Sequence, residues 1–254
     1  MIQIRVIPAL LLQDSGLVKT LKFKKPVYVG DPINAVRIFN EKEVDEIVFL
    51  DISRTKAKKP IQFSLIEKIA NECFMPFCYG GGIRSIEDIR TLFKLGLEKA
   101  AINSYAVERP EFITEAADKF GSQSIVVSID VKKNLFGKYN VYTQCGDHNT
   151  GKNPVEWAKE VERLGAGEIF INSIDREGTM EGYDIELIRA VSEAVGIPVI
   201  ACGGAGTLEH LAEAINNTKA SAVAAGSMFV FHKRRNAVLI NYPERKELKT
   251  LFNK

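Results

Sequence analysis

Metal-binding residues are sparse in this sequence. The three histidines, His148, His210 and His232, stand far apart, and the four cysteines, Cys73, Cys78, Cys145 and Cys202, are equally scattered. Tetrahedral metal sites draw on ligands clustered at short spacings, so no metal and no cofactor is expected. Isolated cysteines fit reduced thiols in a cytoplasmic protein. No apolar run reaches the length of a membrane span, and Met1 leads directly into a strand pattern without a signal peptide. Charge of either sign is not in excess either: 34 Lys and Arg face 32 Asp and Glu, spread along the chain. With no basic stripe, neither nucleic acid nor a membrane surface is an expected partner. No Pro-, Ser- or Gly-rich linker divides the 254 residues, and the hydrophobic share of 46% is ample for a core, so the chain reads as one domain, 1–254.

Two matched glycine-rich stretches organise what is there. Pro76-Phe77-Cys78-Tyr79-Gly80-Gly81-Gly82-Ile83-Arg84-Ser85 is answered by Pro198-Val199-Ile200-Ala201-Cys202-Gly203-Gly204-Ala205-Gly206-Thr207, displaced by 122 positions. The same offset relates Asp31-Pro32 to Asn153-Pro154 and Asp45-Glu46 to Gly167-Glu168. A repeat this long describes two halves of one fold. Each glycine turn ends an apolar run and opens a helical pattern, where free N–H groups and the helix dipole favour an anion. Two such turns imply a ligand with a phosphate at each end.

Eight apolar, β-branched runs alternate with helical patterns. The strands expected are 2–12, 46–51, 76–79, 99–103, 124–130, 168–173, 198–201 and 222–225; the helices are 33–42, 63–72, 86–95, 111–120, 155–164, 185–195 and 208–216. Near-continuous apolar strands suit a buried parallel sheet. Four strands per half favour closure into an α/β, (β/α)8 TIM barrel with half-barrel duplication. Two connections are long: a basic loop over 12–31 with Lys19, Lys22, Lys24 and Lys25, and 132–152 with a hairpin at Gly137. Such loops at strand C-termini are expected to be lids or substrate contacts.

Reacting groups in barrels come from strand C-terminal ends. Asp130 closes an apolar strand, where desolvation raises a carboxyl pKa and suits it to general acid–base work or, equally, to loop capping. Asp51 stands at a second strand end and is, after Asp130, the second catalytic candidate, placed equally to bind substrate or to support a neighbour. The polar loop Asp175-Arg176-Glu177-Gly178-Thr179 fits a second phosphate or ribose site. At the opposite ends, Arg5, Glu46, Lys99 and Glu168 head four strands. Pointing inward they form a neutral ring; pointing outward they are ordinary surface pairs.

These residues resemble the HisF family, the cyclase subunit of imidazole glycerol phosphate synthase, over essentially the whole chain. The shared stretches include Arg5-Val6-Ile7-Pro8, Gly30-Asp31-Pro32, Asp45 to Ile52, Gly80-Gly81-Gly82-Ile83, Phe120-Gly121-Ser122-Gln123, Ser173-Ile174-Asp175-Arg176 and Gly203-Gly204-Ala205-Gly206. The resemblance implies a glutaminase partner of the HisH type on the bottom face. Ammonia would pass the Arg5, Glu46, Lys99, Glu168 gate and rise through the barrel. It also implies lyase chemistry on a phosphoribulosyl intermediate of histidine biosynthesis, with aspartates ending strands 1 and 5 as acid and base. Gly81, Gly82, Asn103 and Ser104 are then expected around one phosphate; Asp175, Gly178, Gly203, Gly204, Gly226 and Ser227 are expected around the other. Lys19 reaches the substrate from the first loop.

The chain departs from that pattern at the reacting centre. Asp130 matches the strand-5 aspartate, but strand 1 reads Ala9-Leu10-Leu11 where the family has Cys-Leu-Asp, and Asn172 replaces a usual Thr. Asp14 lies past the strand end. With the Asn241-Tyr242-Pro243 tail, this resembles a HisF-like paralogue group found with bacterial surface-polysaccharide genes. That resemblance implies ammonia supply to a separate sugar amidotransferase forming acetamidino groups. The alternatives are a working cyclase and a non-catalytic activator of the glutaminase.

Overall fold

The computed structural model describes residues 4–232 and 237–252, with the His232 side chain excepted. Eight strands form a closed parallel ring: β1 (Arg5–Gln13), β2 (Ile47–Asp51), β3 (Phe77–Gly80), β4 (Lys99–Ile102), β5 (Ile125–Lys133), β6 (Glu168–Ser173), β7 (Val199–Cys202) and β8 (Ala222–Ala225). Each pairs with its sequence neighbour, and β8 returns to β1 through the register Arg5↔Ala222 to Pro8↔Ala225. The expected TIM barrel is therefore the fold. The strand expected over 2–12 begins in part outside the described residues and runs to Gln13. Helices α1 (Pro32–Glu41), α2 (Phe63–Ala70), α3 (Ile86–Lys94), α4 (Glu111–Phe120), α5 (Pro154–Arg163), α6 (Ile185–Ser192) and α7 (Leu208–Asn217) cover the ring. A further helix, α8 (Arg245–Phe252), is not among those expected; it is largely polar, and Leu248 is its buried residue.

Strand alternation sorts side chains into two layers. Along β1, Val6, Leu10 and Leu12 pack outward against the helices, while Ile7 and Ala9 point into the barrel. The inner layer is built mainly of small residues, among them Cys78, Ala101, Cys202, Ala222 and Ala224, with Ile7, Val48, Val126, Phe170 and Ile200. The half-barrel repeat shows in the caps. Asp31 and Asn153 each accept a hydrogen bond from the first turn of a helix that starts with proline. Ser85 and Thr207 cap α3 and α7 in the same manner.

The first long connection differs from the expected open loop. Strands Gly16–Leu21 and Lys24–Gly30 form an antiparallel hairpin that extends β1 through Leu11↔Val18 and Leu12↔Leu17. Its two turn residues, Lys22 and Phe23, both have positive φ, 52° and 62°. That is the backbone of a tight hairpin turn, built here without the glycine or asparagine that signals one in sequence. In the second connection Tyr139–Thr143 pairs antiparallel with β5, forming the hairpin expected at Gly137.

Candidate functional site

A cavity opens at the C-terminal end of the barrel, with about 880 Å³ of open space including its mouth. Its floor and walls bring together Ala9, Leu11, Leu50, Asp130, Asn172 and Cys202 from strand ends. Thr20 and Phe23 reach in from the hairpin, and Glu177 from the loop after β6.

Asp130 sits at the centre. Asn103 Nδ2 donates to one carboxylate oxygen at 3.0 Å and Asn172 Nδ2 to the other at 3.3 Å. Asn103 also donates to the Ser128 carbonyl at 3.0 Å, which fixes its orientation. Burial pushes the Asp130 carboxyl up to about 7, against the opposing pull of the two amide donors. An acid whose folded pKa lies above its unfolded one gives a stability that is full below pH 4 and lost as pH rises through 7. Asp130→Asn is therefore expected to stabilise the fold above pH 7, by at most about 4 kcal/mol at 1.36 kcal/mol per unit over the interval from 3.8 to about 7. The gain should vanish near pH 4. Denaturant unfolding of both proteins at pH 4 and pH 8 measures this, and an equal difference at both would contradict it.

Leu11 faces this same cavity at 8% exposure, so the end of β1 that points at the site is apolar. Asp14 is exposed, 3.6 Å from Lys59, and does not line the cavity. Asp51 lines it, but its oxygens accept from Ser53 N at 2.9 Å, Ser53 Oγ at 2.6 Å and Arg54 Nε at 2.8 Å. Arg54 is itself buried and held by Gln62 at 3.0 Å. With its oxygens so engaged, Asp51 is placed to hold this wall of the cavity rather than to shuttle a proton.

The glycine turns flank the cavity. Gly81 and Gly82 have φ of +127° and +74°, and a Cβ on Gly81 would stand 2.5 Å from the Asp51 carbonyl. Gly81, Gly82, Asn103 and Ser104 line a small recess beside the main cavity. The Ser104 hydroxyl donates to Asn103 at 3.2 Å and accepts from Gln144 N at 3.0 Å. The repeat-related Gly203 and Gly204 have φ of +92° and +110°; a Cβ on Gly204 would meet the Gly182 carbonyl at 2.1 Å. Gly178 lies against Thr20, Gly203 against Asn172, and Gly226 against the Lys19 ammonium, with Ser227 buried next to it. Of the second set, Gly178 and Gly226 thus lie against the hairpin, and Gly203 and Gly204 against β6 and the loop that follows it.

Two residues are placed differently from expectation. Lys19 belongs to a strand instead of a free loop, is 3% exposed, and donates through Nζ to the Ala9 carbonyl at 2.7 Å. Burial lowers its pKa, partly opposed by Glu177. Asp175 turns from the cavity and accepts from Lys133 N at 2.9 Å. Glu177, two residues on, lines the cavity and has a raised pKa from burial, opposed by Lys19. The polar loop was visible in sequence; which of its carboxylates faces inward was not.

At the opposite end Arg5, Glu46, Lys99 and Glu168 form a closed four-membered ring. Arg5 binds both Glu46 and Glu168; Lys99 Nζ lies 3.0 Å from Glu46 and 2.8 Å from Glu168. The carboxylates are buried and the cations only partly exposed, which rules out ordinary surface pairing. Burial alone would lower the Lys99 pKa, but the two glutamates outweigh it and hold it raised. Cys78, Ile7 and Phe170 of the inner layer lie between this ring and the cavity. Among the described residues no three His, Cys, Asp or Glu are grouped to hold a metal ion, and no helix is long and apolar enough to cross a membrane.

A family model described as histidine biosynthesis protein matches residues 5–235. Three relatives carry the name "Putative imidazole glycerol phosphate synthase subunit" with a HisF suffix. The hisF2 protein of Pseudomonas aeruginosa is 52% identical over 248 residues, 98% of this chain and 99% of its own. The HisF protein of Leptospira borgpetersenii is 49% identical over 253 residues, 99% of this chain and all of its own. The hisF3 protein of Vibrio vulnificus is 46% identical over 250 residues, covering 98% and 96%. With these matches over nearly all of its residues and a closed eight-stranded barrel, the chain belongs to the histidine biosynthesis protein family as a HisF-like subunit.

Proposed function

We propose that this barrel is the synthase half of a glutamine-dependent pair. It receives ammonia from a HisH-type glutaminase docked at the ring face and conducts it through the inner layer to the cavity. The observation that carries this reading is the contrast between the two ends. The charged ring is complete, whereas the cavity presents Leu11 in the position of a proton-transfer group. Cyclisation needs acid and base in reach of the substrate, and loss of one such group costs roughly 10²–10⁴ in rate. A conduit needs only the gate, the small-residue interior and the partner face. We therefore assign the nitrogen to a separate sugar amidotransferase, making acetamidino sugars for surface polysaccharide in the cytoplasm. A phosphorylated ligand is held between the glycine turns.

The second reading, a working cyclase of histidine biosynthesis, rests on Asp130 and on Glu177 as another carboxylate in the cavity. A third, pure activation of the glutaminase, rests on the ring alone. Mixing the protein with a HisH-type glutaminase from the same genome is expected to stimulate glutamate release from glutamine. A Glu46→Gln ring variant is expected to lose that stimulation. Unchanged glutamate release on mixing would overturn the pairing.

A further inference from the structure

Two apolar side chains stand out in solvent at the cavity end of the barrel. Leu135 and Phe136 form the tip of the hairpin after β5, and both are almost wholly exposed. A lone exposed apolar residue is ordinary, but adjacent ones on a projecting tip form a patch of the kind that marks a contact. The tip is also held in one shape. Asn134 Oδ1 accepts from Phe136 N at 2.9 Å and from Lys138 N at 3.0 Å, closing the turn from within. Below it, Lys133 N donates to Asp175 at 2.9 Å, and the Lys133 ammonium lies 4.6 Å from the Tyr139 ring centre. The Tyr139 hydroxyl donates to Asp184 at 2.8 Å, which ties the hairpin to the start of α6. The first hairpin repeats the pattern. Leu21, Val27 and Tyr28 are exposed on it, and Lys22 N anchors its turn to the Glu177 carbonyl at 2.9 Å.

Charge defines what fits. No Asp or Glu occurs from Gly16 to Gly30 or from Val131 to Gly146, whereas both stretches carry lysines. On this face Lys56 pairs with Asp147, Lys59 with Asp14 and Lys133 with Glu186. The exposed Lys22, Lys24, Lys25 and Lys138 enter no ion pair among the described residues. A second copy of this chain seated here would set lysine against lysine. A bilayer asks for no fixed shape, whereas a pocket in a protein does. Thr20 and Phe23 of the first hairpin and Cys145 beyond the second line the cavity, so an occupant of the tips covers its mouth. We propose that the two hairpin tips form the docking surface for the separate sugar amidotransferase, whose matching face carries an apolar pocket edged by carboxylates. This rests on the conduit reading and adds where the receiving enzyme sits. Leu135 and Phe136 enter the pocket as anchors, and the lysines pair with its rim and steer the encounter. The enclosed mouth then passes nitrogen from one protein to the other without release to bulk water.

The test is calorimetric titration of the full chain with the sugar amidotransferase of the same genome, at low and at high salt. Binding is expected, and it should weaken as salt rises. Leu135→Ser combined with Phe136→Ser is expected to weaken it about a hundredfold, the scale of a central apolar anchor. Lys22→Glu with Lys24→Glu and Lys25→Glu is expected to weaken it about tenfold and to remove most of the salt dependence. These side chains are exposed, so denaturant unfolding of the variants should match the native protein. Phe74→Ser, exposed at the opposite end of the barrel before β3, is the control and should bind as the native chain does. No binding, or equal binding by the Leu135 and Phe136 variant, would overturn the proposal. Adsorption to phosphatidylglycerol vesicles in its place would hand the tips to a membrane, and a dimer in its place would hand them to a second copy. Glutaminase stimulation is read separately and should stay native in the tip variants. Absence of stimulation with the native chain would defeat the conduit, whereas intact stimulation without amidotransferase binding would defeat the docking surface alone.

Discussion

Replacing Lys99 with Met is expected to cost the fold about 3–5 kcal/mol, the loss found when one partner of a buried ion pair is removed. Lys99 is the cation that bridges Glu46 at 3.0 Å and Glu168 at 2.8 Å, and those carboxylates are only 3% and 6% exposed in their side chains. Without it, two buried anions share Arg5 alone. A second change restores neutrality: Lys99→Met with Glu168→Leu leaves one cation and one anion, Arg5 and Glu46, still in contact. The double variant should therefore be more stable than the sum of its single changes, a coupling of the kind found for residues in one network. Denaturant unfolding of the four proteins measures it. A loss under about 0.5 kcal/mol for Lys99→Met would mark the ring as an ordinary surface cluster. The same variant is expected to weaken glutaminase coupling.

The second large effect lies at the other end. Leu11→Asp is expected to raise ammonia-dependent turnover of the phosphoribulosyl histidine-pathway intermediate by about 10²–10⁴ over the native protein, the usual worth of a positioned proton-transfer group. Position 11 already faces the cavity that holds Asp130, and its backbone is fixed by pairing with Leu50 in β2 and Val18 in the hairpin. A carboxylate introduced there therefore enters a preformed site. Its pH profile carries a further check. Burial pushes Asp130 up to about 7 in the native protein and a carboxyl at position 11 would raise it further, so a step that uses Asp130 as base should rise at or above that pH and then level off. Turnover that stays at the native level in Leu11→Asp would mean that position 11 is not what separates this barrel from a cyclase.

Much of this was legible in the sequence because backbone requirements leave marks. Gly203 and Gly204 have positive φ and carbonyls where a Cβ would stand, so glycine is demanded there and the repeat shows. Strand β6 and helix α4 have the bounds expected, since β6 is buried along its whole length and α4 buries Phe112, Ile113 and Ala116 on one face. The ring was legible as four charges heading apolar runs, although closure of the barrel was needed to bring Arg5 to Glu168.

What escaped reading depended on side-chain direction or on atypical turns. Asp175 and Glu177 share a short loop, and only the fold sends the first to Lys133 N and the second into the cavity. The hairpin carrying Lys19 and Thr20 was hidden because Lys22 and Phe23 take positive φ without the usual residue types. Asp51 read as a reactive carboxylate because sequence does not show that Arg54 and Ser53 occupy its oxygens. Asn172 was seen as a departure from the family, but its unmatched oxygen emerges only when Nδ2 is found on Asp130.

We propose that the barrel handles ammonia without carrying out cyclase chemistry. It is tested most directly with the native protein alone, supplied with ammonium salt and the phosphoribulosyl intermediate at pH 8, where Asp130 is ionised, by following formation of imidazole glycerol phosphate. The account predicts no turnover above the uncatalysed rate. Vigorous formation of that product by the native protein would contradict it and make Leu11 a tolerated change in a working cyclase.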